Sequence, residues 1–415
     1  MDIQINLQAG DDAGLKIQQA INQLPDVYES YKTAKTQTIC VSSNDCYGRD
    51  PHLFEASLRT KPVIPYTKQV EIKGTGKYGI VLNNESSGTT MFDIVGTGVG
   101  TNHFISDLTL KGGGITVTER VRGACGVNNV KVIDSDDYAV RFLDGVASGL
   151  GPVNFHCNNL YTVNCKGSVD VGASTYLLGY IYGGRTVGAK AESMRLSGRG
   201  IQVDNHDFTS TNGICYLHLH AETDSNQSVK IERCRFGSEA ITGNTEFGIA
   251  GTDRPANDII IGSLIDGDAP NNPSSSIDIW NNTFSGGSGA DGTLAESAIR
   301  LNDRPRQIRV MNGNQFDSDY SLGLIYEAWL NDPTATPLSV ASGERNIRAY
   351  WGMNTIRAGS KVFSNGGVGW DMPFIDSNFT DHTGSSKFRM VGDDGQHYIV
   401  QATTAGLVQT PVAYV

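Results

Sequence analysis

A short β-type run ending in Asn-x-Phe, or a near variant, recurs from residue 203 onward. It reads Val-Asp-Asn-His-Asp-Phe at 203–208, Glu-Arg-Cys-Arg-Phe at 232–236 and Trp-Asn-Asn-Thr-Phe at 280–284. It returns as Asn-Gly-Asn-Gln-Phe at 312–316, Gly-Met-Asn-Thr-Ile at 352–356 and Asp-Ser-Asn-Phe at 376–379. The apolar anchors at 208, 236, 284, 316, 356 and 379 are therefore 28, 48, 32, 40 and 23 residues apart. A period of about 20–50 residues, made of strands and turns without intervening helices, specifies a solenoid. The gap of 48 is about twice the others, which predicts a coil without the motif between Phe236 and Phe284.

Composition agrees with many tight corners. Glycine is abundant, at 49 of 415 residues, and Asn, Asp, Ser and Thr crowd the segments between apolar runs. A net charge of −11 argues against nucleic acid and anionic membranes as partners, since phosphate binding needs a basic surface. It leaves room for an acidic polysaccharide held in a local basic patch. No apolar run reaches the about 18 residues that a spanning helix needs, and the start, Met-Asp-Ile-Gln-Ile-Asn, lacks the marks of a secretory signal. Cys157, Cys165, Cys215 and Cys234 lie in or beside strand-like runs, where a thiol behaves as a small apolar group. Cys40 and Cys46 are the one candidate loop disulfide.

Residues 11–24 read as a helix, with Leu15, Ala20, Ile21 and Leu24 near helical spacing, Asp11 or Asp12 as cap and Pro25 as terminator. It would cover the open end of the solenoid. Residues 26–65 read as irregular, and alternation begins at Val70-Glu-Ile-Lys. The expected division is an N-terminal cap over 1–65, coils over 66–380 and a small β extension over 381–415. Within the coils, Ser274–Gly292 and Asn331–Gly343 read as polar excursions. The extension, with Lys387-Phe-Arg-Met and His397-Tyr-Ile-Val, would cap the stack or pair with another subunit. Short strands bounded by Gly, Asn and Asp favour a parallel β-helix over a sandwich, which uses longer, hairpin-linked strands.

Asp12-Ala-Gly-Leu-Lys-Ile-Gln-Gln-Ala-Ile-Asn, Val70-Glu-Ile-Lys-Gly-Thr-Gly and the Asn-x-Phe coils together resemble the pectin-lyase-like superfamily of right-handed parallel β-helices. Within it, the likeness is to viral tailspike and polysaccharide-depolymerase proteins. The resemblance spans roughly residues 10–380 and is specific for fold, not for activity. It implies an all-β chain, a homotrimer, and a virion protein that binds or cleaves host surface glycans. Tailspikes often begin with a separate attachment domain; here the helix starts within a dozen residues, so attachment would use the cap, the tail or an adaptor protein. Secretion without a visible signal is the alternative location.

Chemistry in such a fold must come from outward residues of adjacent coils, which lie about 4.8 Å apart. Aligning the anchors puts Asp204 and Glu232 at one offset, four residues before Phe208 and Phe236. If those coils adjoin, two carboxylates stack at about 5 Å and one pKa rises, the arrangement of a retaining glycosidase, whereas a one-coil offset nearer 9 Å would suit an inverting one. The plain alternative is two solvated acids neutralised by Lys230 and Arg233. A second cluster, Tyr216 to Asp224, would project His218, His220 and Glu222 from one face, as metal ligands that need a third the sequence does not identify, as a general base or substrate contact, or as plain surface histidines. A third places Asp278 and Trp280 on one coil and Arg309 on the next, with Asp303 at the adjoining corner. Trp280 would stack on a sugar ring, Arg309 grip a carboxylate or sulfate, and Tyr326 and Trp329, with Glu327, lengthen the groove. Trp280 could equally be covered by the 285–292 loop or by a neighbouring subunit.

A calcium-dependent lyase pattern is not recognisable. Asp134, Asp136 and Asp137 read as a coil-corner turn. No phosphate loop, dinucleotide fingerprint or zinc-finger spacing is present, and no cofactor or bound metal is expected. The function anticipated is binding of a host surface polysaccharide, with endo-hydrolysis as the chemistry. A non-catalytic virion spike on the same scaffold is the first alternative and a polysaccharide lyase the second.

Overall fold

The computed structural model describes residues 2–26, 36–43, 54–65, 67–75, 79–95, 102–117, 124–142, 153–171, 177–197, 200–219, 228–237, 255–262, 276–285, 294–302, 305, 307–328, 348–357, 360–364, 370–371, 387–391, 397–403 and 406–411. The chain forms two compact units, Met1–Ile201 and Gln202–Val415.

In the first unit, successive strands pair in parallel with partners 22 to 36 residues apart, as for His103 with Cys125 and Ile3 with Ile39. One stack runs Ile3–Asn6, Gln37–Ser42, Val70–Lys73, His103–Ser106, Ala124–Asn128, Val153–Val163 and Leu177–Val187. A second starts with Phe54–Leu58, Ile80–Asn84, Thr109–Lys111 and Lys131–Ile133. The third, in the facing sheet, runs Val63–Pro65, Thr90–Val95, Gly114–Val117, Tyr138–Phe142, Gly167–Val171 and Met194–Leu196. Ladders such as Ile39–Ile72–Ile105–Val127–Cys157–Ile181 fill the interior, each member fully buried. Parallel pairing at every step is the solenoid that the sequence predicts. Strands nevertheless occupy 37–42, 54–58 and 63–65, where the sequence reads as irregular.

The helix is Ala13–Gln23, with Asp12 as its N-cap. Ala13, Ile17, Ala20, Ile21 and Leu24 are buried, while Leu15, expected on the inner face, is exposed. Asp12 also ties the cap to the coils. Its carboxylate accepts from the Leu15 amide (3.2 Å), the Arg59 amide (3.1 Å) and the Thr60 amide and hydroxyl (3.3 and 2.7 Å). Burial raises its pKa, but the bonds from Thr60, Leu15 and Arg59 outweigh that and hold it below the ordinary value. Asp12→Ala should cost about 1–2 kcal/mol in a urea titration at neutral pH. Because the folded carboxyl titrates below the unfolded one, the wild-type advantage should fade as pH falls through the folded value, and the two curves should converge in acid.

The second unit repeats a more regular coil. The strand Gly200–Asp204, whose last three residues belong to this unit, leads into it, followed by Ser228–Glu232, Ser276–Trp280, Gln307–Met311 and Arg348–Gly352. Each is followed by a two-residue strand: Asp207–Phe208, Arg235–Phe236, Thr283–Phe284, Gln315–Phe316 and Thr355–Ile356. The facing sheet holds Cys215–Leu219, Asn257–Ile261, Ser297–Leu301 and Gly323–Glu327.

The recurring motif has a double function. Its Phe residues form one stack: Phe208, Phe236, Phe284 and Phe316 lie with ring centroids 4.9, 4.9 and 4.6 Å apart and planes within 7° of parallel. Its Asn residues form another. Asn282, Asn314 and Asn354 are buried, and their side-chain amides donate to the Ile231, Ile279 and Val310 carbonyls of the preceding coil at 3.0, 2.8 and 2.9 Å. The Asn282 and Asn314 carbonyls accept from the Cys234 and Asn282 backbone amides. A corner turned inside the stack would otherwise leave these backbone groups unmet. The residue that turns the chain has a left-handed backbone in every coil, at Asn205, Arg233, Asn281, Asn312 and Met353.

One expectation is overturned here. Phe236 pairs with Phe284 directly, so the 48-residue gap is one coil with a long excursion and no unmarked coil lies between. Ser276–Trp280 and Thr283–Phe284 likewise belong to the coil, inside the segment read as a polar excursion. The anchor at 379 and the 331–343 segment lie outside the described residues. Beyond the coils, Lys387–Val391, His397–Thr403 and Gly406–Pro411 form an antiparallel meander, the β extension anticipated from the sequence.

Candidate functional site

The principal sheet of the second unit gathers Asp204, Glu232, Asp278, Trp280 and Arg309, half of the site residues singled out above. Parallel register makes two rows along the stack. Lys230, Asp278, Arg309 and Tyr350 form one, and Glu232, Trp280, Met311 and Gly352 the other. The strands carrying Asp204 and Glu232 do adjoin, with the Asn205 amide donating to the Glu232 carbonyl at 2.9 Å.

The two carboxylates do not form a free acid pair. Asp204, expected on a solvent face, is 1% exposed, because the Arg233 side chain lies over it and holds it through both guanidinium edges, Nε to Oδ1 at 2.8 Å and Nη2 to Oδ2. Arg233 stands at the left-handed corner residue of the following coil and reaches back to the coil before it. Glu232 pairs instead with Lys230 at 2.5 Å. Asp278 is bound on both oxygens by Arg309, at 2.5 and 2.6 Å. Three acids thus meet three cations, which is the neutralised arrangement given above as the plain alternative for the first pair. Arg309, expected to grip an anionic ligand, is occupied by Asp278.

Trp280 is the centre of the face. Lys230 in the coil before it lies 4.8 Å from the ring centroid, and Arg309 in the coil after it lies 5.3 Å away. Such contacts stabilise by about 0.5–2 kcal/mol each. The ring is partly exposed, yet its Nε1 is shut off from solvent with no hydrogen-bond partner. An unmade bond of that kind costs about 1–3 kcal/mol.

The histidine cluster does not sit on this face. His218 belongs to the facing sheet, is 4% exposed and lies 2.7 Å from the Gly262 carbonyl oxygen through Nε2. Tyr216, beside it, is also buried and bonds the Thr209 carbonyl. His220, Glu222, Asp303 and Trp329 lie outside the described residues. Tyr326 is half-buried on the facing sheet under the Arg300 guanidinium at 5.3 Å, so it does not extend the Trp280 rows. Glu327 is buried and accepts from Trp370 Nε1 at 3.2 Å. That pairing was not legible in sequence, because the two residues are 43 positions apart.

In the first unit, Asp134 does turn a coil corner with a left-handed backbone, and the Asn164 amide donates to it at 2.7 Å. Asp136 and Asp137 pair with Lys190 and Arg141. Burial pushes the Cys125, Cys165 and Cys234 thiols up to about 12, and Cys157 rises likewise, so none is a nucleophile at neutral pH. Cys40 carries a free thiol, and Cys46 lies outside the described residues.

No protein-family model and no curated protein sequence matches this chain. Two solved structures resemble it at 10% identity. One is described as ORF18 of Geobacillus virus E2, with a TM-score of 0.47, covering 98% of this chain and 68% of that one. The other is a PL6 family alginate lyase, AlyGC, with a TM-score of 0.33, covering all of this chain and 55% of the lyase. This chain thus spans about half the lyase's length. Likenesses this distant carry no argument about activity; the winding rests on the strand register itself. Among the described residues, no helix is long and apolar enough to cross a membrane.

Proposed function

We propose that this chain is a virion spike of the tailspike kind that binds a host surface polysaccharide on the outward face of its second unit. The observation that carries this reading is Trp280, a partly exposed indole set between cations of the coils before and after it. An aromatic surface beside polar side chains suits a sugar ring, whose C–H face packs on carbon and whose hydroxyls both donate and accept. Since its acids and cations balance, the face favours a weakly charged glycan over a polyanion. A homotrimer engaged through an adaptor protein completes this reading.

Endo-hydrolysis is the chemistry proposed for the site, with Glu232 as its acid. Asp204 and Asp278 are each locked by a two-point arginine bridge, whereas Glu232 is met by the single ammonium of Lys230, a flexible side chain that can swing away. The test is incubation of the protein with host capsule or lipopolysaccharide. Wild type should retain the glycan and shorten it, and Trp280→Ala should weaken retention about tenfold or more. Glu232→Gln should retain the glycan but shorten it about 100-fold more slowly. Absence of retention by wild type would overturn the binding reading. Unimpaired shortening by Glu232→Gln would remove Glu232, and products absorbing as unsaturated uronates would replace hydrolysis with elimination.

A further inference from the structure

The first unit carries an aromatic face that the proposal above does not use. On its principal sheet, Gly126 is the register partner of both Phe104 and His156, and His156 is the partner of Tyr180. Phe104 and His156 lean toward each other over the glycine, with ring centroids 6.4 Å apart, and His156 meets Tyr180 at 6.4 Å. Tyr180 and Tyr182, alternate residues of one strand, stack at 5.9 Å with planes 6° apart. A β-carbon at 126 would stand 1.8 Å from the His156 carbonyl oxygen, so the notch between the first two rings is fixed by close backbone approach.

This face is open. Tyr182 is 42% exposed and its strand neighbour Leu178 39%, among the most exposed large apolar groups described. Its charges stand at one edge, where Glu71 and Lys73 are the register partners of Phe104 and Ser106 and Glu71 accepts from the Ser106 hydroxyl at 2.8 Å. The outward positions of the strands 103–106, 124–128, 154–158 and 178–182 are Phe, Ser, Ala, Gly, Asn, His, Leu and Tyr, with no acid, lysine or arginine. Burial holds the His156 imidazole below its ordinary pKa, so it is neutral at pH 7 as well. Amides interleave the rings: Asn128 is the partner of Asn158, and Asn158 of Tyr182.

We propose that this strip is a second saccharide-binding site, specific for an uncharged oligosaccharide laid along the stack. A neutral ligand matches the stretch from Ala124 to Tyr182, whose outward positions carry no ionised side chain, while Glu71 at its edge would repel a polyanion and Lys73 there is paired with Asp107. Sugar rings supply apolar faces for the tyrosines, and their hydroxyls both donate to and accept from Asn128 and Asn158. Covering the strip with a second copy of the chain would instead bury those amides, each needing a matched partner. The site shares no residue with the Trp280 face and stands or falls separately from it.

The test is saturation-transfer NMR on the whole protein with maltohexaose, cellohexaose, mannohexaose and chitohexaose. At least one should bind wild type and the surface control Lys190→Ala alike. Its affinity should fall about tenfold or more in Tyr180→Ala/Tyr182→Ala, and measurably in Tyr182→Leu, which keeps the apolar bulk and the fold. Absence of binding to wild type, or equal binding by the double variant, would overturn the proposal. So would a change of oligomeric state in the double variant by sedimentation velocity, which would make the strip a contact between copies.

Discussion

Phe284→Ala is expected to destabilise the second unit by about 3–5 kcal/mol, read as a fall in denaturant midpoint. Phe284 is fully buried and has a parallel ring on each side, at 4.9 and 4.6 Å. Removing it takes away its own transfer energy, leaves a cavity that stiff neighbours cannot fill, and breaks two aromatic contacts at about 0.5–1.5 kcal/mol each. Phe284→Leu should recover much of the transfer term but neither contact. In a solenoid each coil holds only its neighbours, so a weak rung should also divide the unfolding transition. A loss below about 1 kcal/mol would mean that the ladder is not the core of this unit.

The second large effect concerns charge. Arg233→Ala should cost about 3 kcal/mol, the lower end of what breaking a buried ion pair does, because Asp204 stays buried while Arg233 is itself half exposed. Arg233 also has a left-handed backbone, where alanine is strained, so Arg233→Gly separates the two causes. The glycine variant should keep most of the loss, and adding Asp204→Asn should restore part of it, a coupling measurable in a double-mutant cycle. By contrast, Lys190→Ala, whose partner Asp136 is exposed, should leave stability unchanged. Equal stability of Arg233→Gly and wild type would show that Asp204 finds water or another partner.

These two cases mark how far the sequence could be read. The Asn-x-Phe repeat announced the ladder of apolar anchors; the buried amide ladder was not legible in it, because only Asn282, Asn314 and Asn354 hold that position, where the earlier coils carry His206 and Cys234. Coil length was not legible: residues added at a corner leave the stacked rungs unchanged, so the 48-residue coil looked like two. Strand alternation placed Glu232, Asp278, Trp280 and Arg309 on one face correctly. The sequence named Arg233 as a neutralising partner but not the burial of Asp204 beneath it, because alternation says which way a side chain leaves the backbone and nothing of what then covers it. His218 was misjudged for the same reason, as its strand is buried on both sides. The aromatic strip of the first unit escaped notice because its members are spread over residues 104–182 and meet only through the winding.

All of this depends on successive coils stacking in the stated register, and oxidative trapping tests that most directly. Lys230 and Asp278 are register partners on adjacent strands, spaced at about 4.8 Å, within the range a disulfide bridges. Lys230 and Arg309 are two strands apart, about twice that distance. In Lys230→Cys/Asp278→Cys, mild oxidation should join the introduced thiols, identified by peptide mass mapping, while Lys230→Cys/Arg309→Cys should stay reduced. Failure of the first pair to close, or closure of the second as readily, would contradict the single-coil path from Phe236 to Phe284 and the site built on it.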